Sequence, residues 1–133
     1  MERIAILVLA KRVENKDFSL NSSPSPLMSL GTGLVIEKIS NVFSDKAKFI
    51  LYLAIGEEDI DLTKYKVFNK YKIIPISTNS PCETVYYCSK QIPENWIHVL
   101  PISTVPQESC DSFYQIFVEK NLRKKFNWSA FKI

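Results

Sequence analysis

No apolar run in this chain approaches the ~18–20 residues that a helix needs to cross a bilayer, so no membrane span is expected. Charge of one sign is lacking as well. Seventeen Lys and Arg face fourteen Asp and Glu, a net charge of +3, far from the basic surface of a nucleic-acid binder. Lys120, Arg123, Lys124, Lys125 and Lys132 hold much of that excess near the C-terminus. There they read as a solvated helix end compatible with its dipole, and nucleic acid is not an expected partner. The single histidine, His98, lies inside an apolar run and reads as a core or edge residue rather than a catalytic base. Cys82, Cys88 and Cys110 are odd in number, without Cys-x-x-Cys spacing or nearby histidine, which argues against a zinc site or a disulfide framework. The Walker lysine motif and the Gly-x-Gly-x-x-Gly fingerprint are both missing. The first apolar stretch runs into Lys11-Arg12 instead of a small-residue cleavage site. No signal peptide is read there, and a cytoplasmic protein is expected.

What is present is the composition of one globular domain: 133 residues, 46% apolar and 23% charged. A single domain over residues 1–133 is predicted, large enough to bury a core. Residues 3–10 (RIAILVLA) and 48–55 (KFILYLAI) are nearly continuous apolar runs, the pattern of strands covered on both faces in a parallel sheet. Between them, residues 34–44 repeat apolar side chains at Val35, Ile36, Ile39, Val42 and Phe43, the stripe of a helix with one buried face. Residues 71–77 and 96–102 read as further strands, with Pro75 marking an edge or a strand end. Ser80-Pro81-Cys82-Glu83 combines a capping serine, a first-turn proline and a capping-box glutamate, and so starts a helix predicted to run through Ile92 and stop before Pro93. Asp111 is expected to cap a last helix carrying Tyr114, Phe117, Val118, Leu122 and Phe126. Residues 57–65 are acidic and polar, a loop or short helix. The alternation predicts an α/β fold: a three-layer, open, mostly parallel Rossmann-like sheet with helices on both faces.

Ligands of such sheets sit beyond the carboxyl ends of the strands. That directs attention to the long connection over residues 11–33 and to the loops after the other strands. Gly31-Thr32-Gly33 stands at the mouth of the first helix, where free amides and the positive dipole end favour anions. A lone Gly-x-Gly serves equally as loop punctuation. Lys11 and Arg12, after the first strand, are either anion contacts or exposed loop charges. Ser80 is accounted for by capping alone.

Ile6-Leu7-Val8-Leu9-Ala10, a long loop, and then Pro24-Ser25-Pro26-Leu27-Met28-Ser29-Leu30-Gly31-Thr32-Gly33-Leu34-Val35-Ile36-Glu37 resemble the start of the sugar-phosphate nucleotidyltransferases, the nucleotide-diphospho-sugar transferase type. That family has an apolar strand ending in Leu-Ala, a glycine-rich loop, and then Pro-Lys-Pro-Leu-Leu-Pro-Val-Gly-Gly-Lys-Pro-Leu-Ile-Glu. Ser80-Pro81-Cys82-Glu83-Thr84-Val85 and Val99-Leu100-Pro101 continue the likeness in order and spacing. The resemblance implies contacts to a nucleotide or sugar phosphate from Lys11, Arg12, Ser25, Gly31, Thr32, Gly33 and Ser80.

The chain departs from the family where the chemistry lies. Lys11-Arg12-Val13-Glu14-Asn15 replaces the loop glycines whose backbone approaches the phosphates. Ser25 stands where the family has a phosphate-neutralising lysine. The fourth strand ends in Pro101-Ile102-Ser103-Thr104, without the family's metal-binding aspartate. Positioned cations carry most of phosphoryl-type transfer. The expectation is therefore a degenerate domain with no catalytic or metal-ligating residue, which binds a nucleotide or sugar phosphate or acts as a scaffold in nucleotide-sugar and glycan metabolism. Mg²⁺ enters only under the alternative of an active transferase part completed by a missing C-terminal region or a partner. Glu57, Glu58, Asp59 and Asp61 are then the one dense acidic cluster available. A third reading is an interaction module, in which the aromatic residues of 126–131 (Phe126, Trp128, Phe131) pack on a second copy or on a missing domain.

Overall fold

The computed structural model describes residues 3–11, 25–27, 29–30 and 33–102. Its main sheet pairs β1 (Ile4–Leu9), β4 (Phe49–Gly56), β5 (Lys72–Ile76) and β6 (Trp96–Pro101) in the order β5-β4-β1-β6, every pairing parallel. Two short segments, β2 (Ser29–Leu30) and β3 (Gly33–Leu34), form a separate antiparallel pair just before helix α1 (Val35–Val42). Helix α2 (Pro81–Ser89) links β5 to β6. The expected α/β fold with a mostly parallel sheet is what the chain forms.

Side-chain alternation along the strands supplies both faces of the sheet. Ile4, Ile6 and Val8 of β1 join Leu51, Leu53 and Ile55 of β4 on one face, where Val35, Ile36 and Ile39 of α1 and Phe43 beyond it complete the cluster. Ala5 and Leu7 join Tyr52, Ala54, Ile74 and Ile76 on the other face, against Cys88 and Ile92. This two-sided demand explains why β1 and β4 read as unbroken apolar runs. Each fully buried Ile or Leu contributes about 1.5–3 kcal/mol, so the two central strands dominate the stability of the domain. His98 lies buried in β6, its ring centroid 6.4 Å from that of Phe43, in keeping with a core histidine.

Between β4 and β5 the chain forms two 3-10 stretches, Glu57–Lys64 and Lys66–Lys70, where a loop or short helix is expected. Thr63 Oγ1 donates to the Ile60 carbonyl at 2.7 Å, and such side-chain competition favours the tighter i→i+3 winding over a full α-helix. Phe68 carries this segment onto the α1 face. Pro75 sits exposed on β5, an outer strand of the described sheet, where its missing amide costs least.

Helix α2 ends earlier than its apolar spacing predicts. The Gln91 and Ile92 amides both donate to the Cys88 carbonyl, at 2.9 and 3.1 Å, closing the helix in a tight turn that drops Ile92 into the second core face. Cys82 is exposed and Cys88 buried, both free thiols, and burial pushes the Cys88 thiol up to about 11. No described helix is long and apolar enough to cross a membrane. The predicted last helix from Asp111, Cys110 and the aromatic residues of 126–131 lie outside the described residues.

Candidate functional site

The strand order reverses direction at β1. The chain moves outward from β1 through β4 to β5, then returns by α2 to place β6 on the far side of β1. Adjacent strands whose connections leave in opposite directions part at their carboxyl ends, and ligands of open α/β sheets occupy that opening. Here the reversal of strand order falls between β1 and β6. The Ala10 amide donates to the Ala54 carbonyl at 2.8 Å, and the Ile102 amide donates to the Leu9 carbonyl at 3.0 Å. The rim is thereby fixed on both sides of β1.

Lys11 stands at this rim. Its Nζ is 3.8 Å from Glu58 Oε1, with 27% of the lysine side chain and 48% of the glutamate side chain exposed. A pair this long and this wet contributes at most about 1 kcal/mol, so Lys11 keeps its charge available. Glu58 folds back over Gly56, into the space a Cβ there would occupy. Of the acidic cluster, Glu57 and Asp61 are exposed and Asp59 is buried. Among the described residues no three His, Cys, Asp or Glu side chains are grouped to hold a metal ion.

The mouth of α1 departs from a bare anion site. Glu37 Oε1 accepts from the Leu34 amide at 3.3 Å, so a carboxylate of the helix's own first turn occupies one free donor and brings negative charge to the dipole's positive end. Leu34 at the N-cap has no acceptor to offer. Gly33 has ordinary room around it: an added Cβ would meet Glu37 Oε1 at 3.8 Å. Nothing in its backbone calls for glycine.

Ser25 begins a short 3-10 turn, Ser25–Leu27, in which Pro26 is buried and Leu27 packs against the α1 face. The Ser25 side chain, Arg12, Gly31 and Thr32 lie outside the described residues. Ser80 caps α2: its Oγ accepts from the Glu83 amide at 3.2 Å. The Thr84 hydroxyl donates to the Ser80 carbonyl at 3.0 Å and meets the Thr78 hydroxyl. Ser80 follows β5, two strands away from β1, on the order of 10 Å at usual strand spacing. Of the seven candidates, the described structure sets Lys11 directly after β1 with its Nζ toward Glu58, on the β4 side, and assigns Ser80 a capping role elsewhere.

Two structural features here escape a reading of the residues alone. The Lys11–Glu58 pair joins positions far apart in sequence, and only the β1–β4 register makes them neighbours. The Glu37 cap has a local signal, a glutamate three residues past the N-cap, which the apolar stripe around it conceals.

The fold defines an α/β chain whose parallel sheet reverses its strand order between β1 and β6. Compared with known protein families, curated proteins and solved structures, the chain matches none.

Proposed function

We propose that this domain binds a nucleotide or sugar phosphate at the carboxyl ends of β1 and β6 and does not itself carry out nucleotidyl transfer. The observation that carries the proposal is the reversal of strand order at β1 with Lys11 directly after that strand, because a weakly paired cation near such a switch point suits a phosphate. The likeness of residues 24–37 to the sugar-phosphate nucleotidyltransferases supports the same ligand class. The missing transfer step follows from chemistry. Charge that builds on a phosphoryl group in flight needs a metal ion and a positioned cation. The chain has Ser25 in place of the lysine and Pro101-Ile102-Ser103 in place of the metal aspartate.

Isothermal titration with nucleoside triphosphates and sugar 1-phosphates, each with and without Mg²⁺, tests the proposal. Binding should occur, weaken roughly tenfold in Lys11→Ala as one charge-assisted contact is lost, and release no pyrophosphate. Metal-dependent turnover would overturn the non-catalytic reading. Binding indifferent to Lys11→Ala, or no binding to either ligand class, would overturn the site.

A further inference from the structure

At the opposite end of the sheet, β4 and β5 begin out of step. Phe49 is already paired with Ile4 of β1, whereas β5 first pairs at Lys72, opposite Tyr52. Residues 49–51 of β4 therefore have no β5 neighbour, and a recess of about 310 Å³ opens beside them. That is the lower end of the range for small-molecule sites. Its floor is apolar, built from the buried side chains of Phe43, Phe49 and Leu51 with Tyr71 at one side.

The charge around it is of one sign. Arg3, Lys46, Lys70 and Lys72 all line the recess, and among the described residues no Asp or Glu does, in a chain whose basic and acidic residues nearly balance at 17 to 14. Two of the cations are held from the side. An Arg3 guanidinium nitrogen is 3.8 Å from Glu94 Oε2, and Lys72 Nζ lies 5.8 Å from the centre of the Tyr52 ring. Lys46 and Lys70 are exposed and have no ion-pair partner among the described residues. Asp45, the nearest acid in sequence, turns its Oδ1 to the Ala47 amide at 3.0 Å. Ser44 and Asn69 add neutral polar groups to the same wall.

We propose that this recess binds a small organic phosphate, its phosphoryl oxygens between Lys46 and Lys70 and its carbon body over Phe49 and Leu51. Unpaired lysines draw in a phosphate as point charges. The apolar floor gains by covering, which inorganic phosphate cannot supply. The site is separate from the crevice at β1 and β6 and stands whatever that crevice holds.

Amide NMR of the whole chain tests it, with adenosine 5′-monophosphate, glucose 1-phosphate, adenosine and inorganic phosphate as probes. At least one of the two phosphate esters should shift the amides of Lys46, Lys70 and residues 49–51, and adenosine should not. The double variant Lys46→Ala/Lys70→Ala, exposed at both positions, should keep its thermal midpoint and weaken that binding by roughly tenfold or more. Rising salt should weaken binding to the parent chain. Silence from both esters at these amides, shifts that survive the double replacement, or inorganic phosphate binding as tightly as the better ester would each overturn the proposal. Shifts at Lys11, Glu58 and Ile102 report the other crevice, so the two sites fail or stand separately.

Discussion

Tyr71 Oη donates a 2.6 Å hydrogen bond to the carbonyl of Ile36, joining the residue before β5 to the first turn of α1. Both groups are buried, and the bond fastens the 3-10 connection between β4 and β5 onto the helix. Tyr71→Phe keeps the ring and removes the donor, so it should cost about 1 kcal/mol. Tyr71→Ala also empties the ring's place beside the recess and should cost about 3–5 kcal/mol. Urea unfolding midpoints of the two variants check both values.

Alkali should unfold the domain through buried hydroxyl and thiol groups. Burial, aided by the hydrogen bond to Glu94, raises Tyr52 from 10.0 to about 12, burial raises Tyr71 further, and burial raises Cys88 from 9.0 to about 11. Each folded value lies above the unfolded one, so the native state holds more protons and stability falls with rising pH. The contribution is complete below about pH 9, where all three groups stay protonated in both states, and it drains away as pH climbs through 11 and 12. Thermal midpoints measured from pH 8 upward should decline in that window, and Tyr52→Phe should flatten the decline.

Releasing Lys11 from Glu58 should sharpen its hold on an anion. Glu58→Gln removes the carboxylate 3.8 Å from Lys11 Nζ and should change stability by less than about 1 kcal/mol, as expected for an exposed pair. Affinity for a nucleoside triphosphate at the β1–β6 crevice should rise a few-fold, measured by titration calorimetry at low salt. An unchanged affinity would show that Lys11 points its charge elsewhere when ligand arrives.

Capping and phosphate binding make opposite demands on Ser80. Ser80→Ala loses the acceptor for the Glu83 amide and should destabilise the fold by about 0.5–2 kcal/mol. Ser80→Asp retains a good cap and adds negative charge. If the serine serves α2 alone, Ser80→Asp should match the parent in both melting temperature and nucleotide affinity. A stable Ser80→Asp chain with sharply weakened affinity would move Ser80 into the binding surface.

The legible parts of the molecule were those in which neighbours in sequence are also neighbours in space. The unbroken apolar runs of β1 and β4 announce strands covered on both faces, because a side chain of either parity must meet a core. The 35/36/39/43 stripe announces α1, and Ser80-Pro81 announces the start of α2 through donors only a turn away. Ile92 misled for an equally local reason: it continues the apolar spacing of α2, yet it reaches the core from a turn bonded to Cys88. The glycines around α1 drew attention to an anion site, while the Glu37 carboxylate already serves the first amide there.

The sequence by itself determined the alternation of strands and helices and the two-sided burial of the central strands. These are properties of residue type and short spacing, and the chain carries them in any conformation. Only the tertiary structure decided that β6 lies beside β1, that Lys11 meets Glu58, and that Arg3, Lys46, Lys70 and Lys72 share one recess. Strand order and register bring residues tens of positions apart to a common point, and a parallel sheet fixes both through hydrogen bonds and core packing that no short stretch of sequence contains.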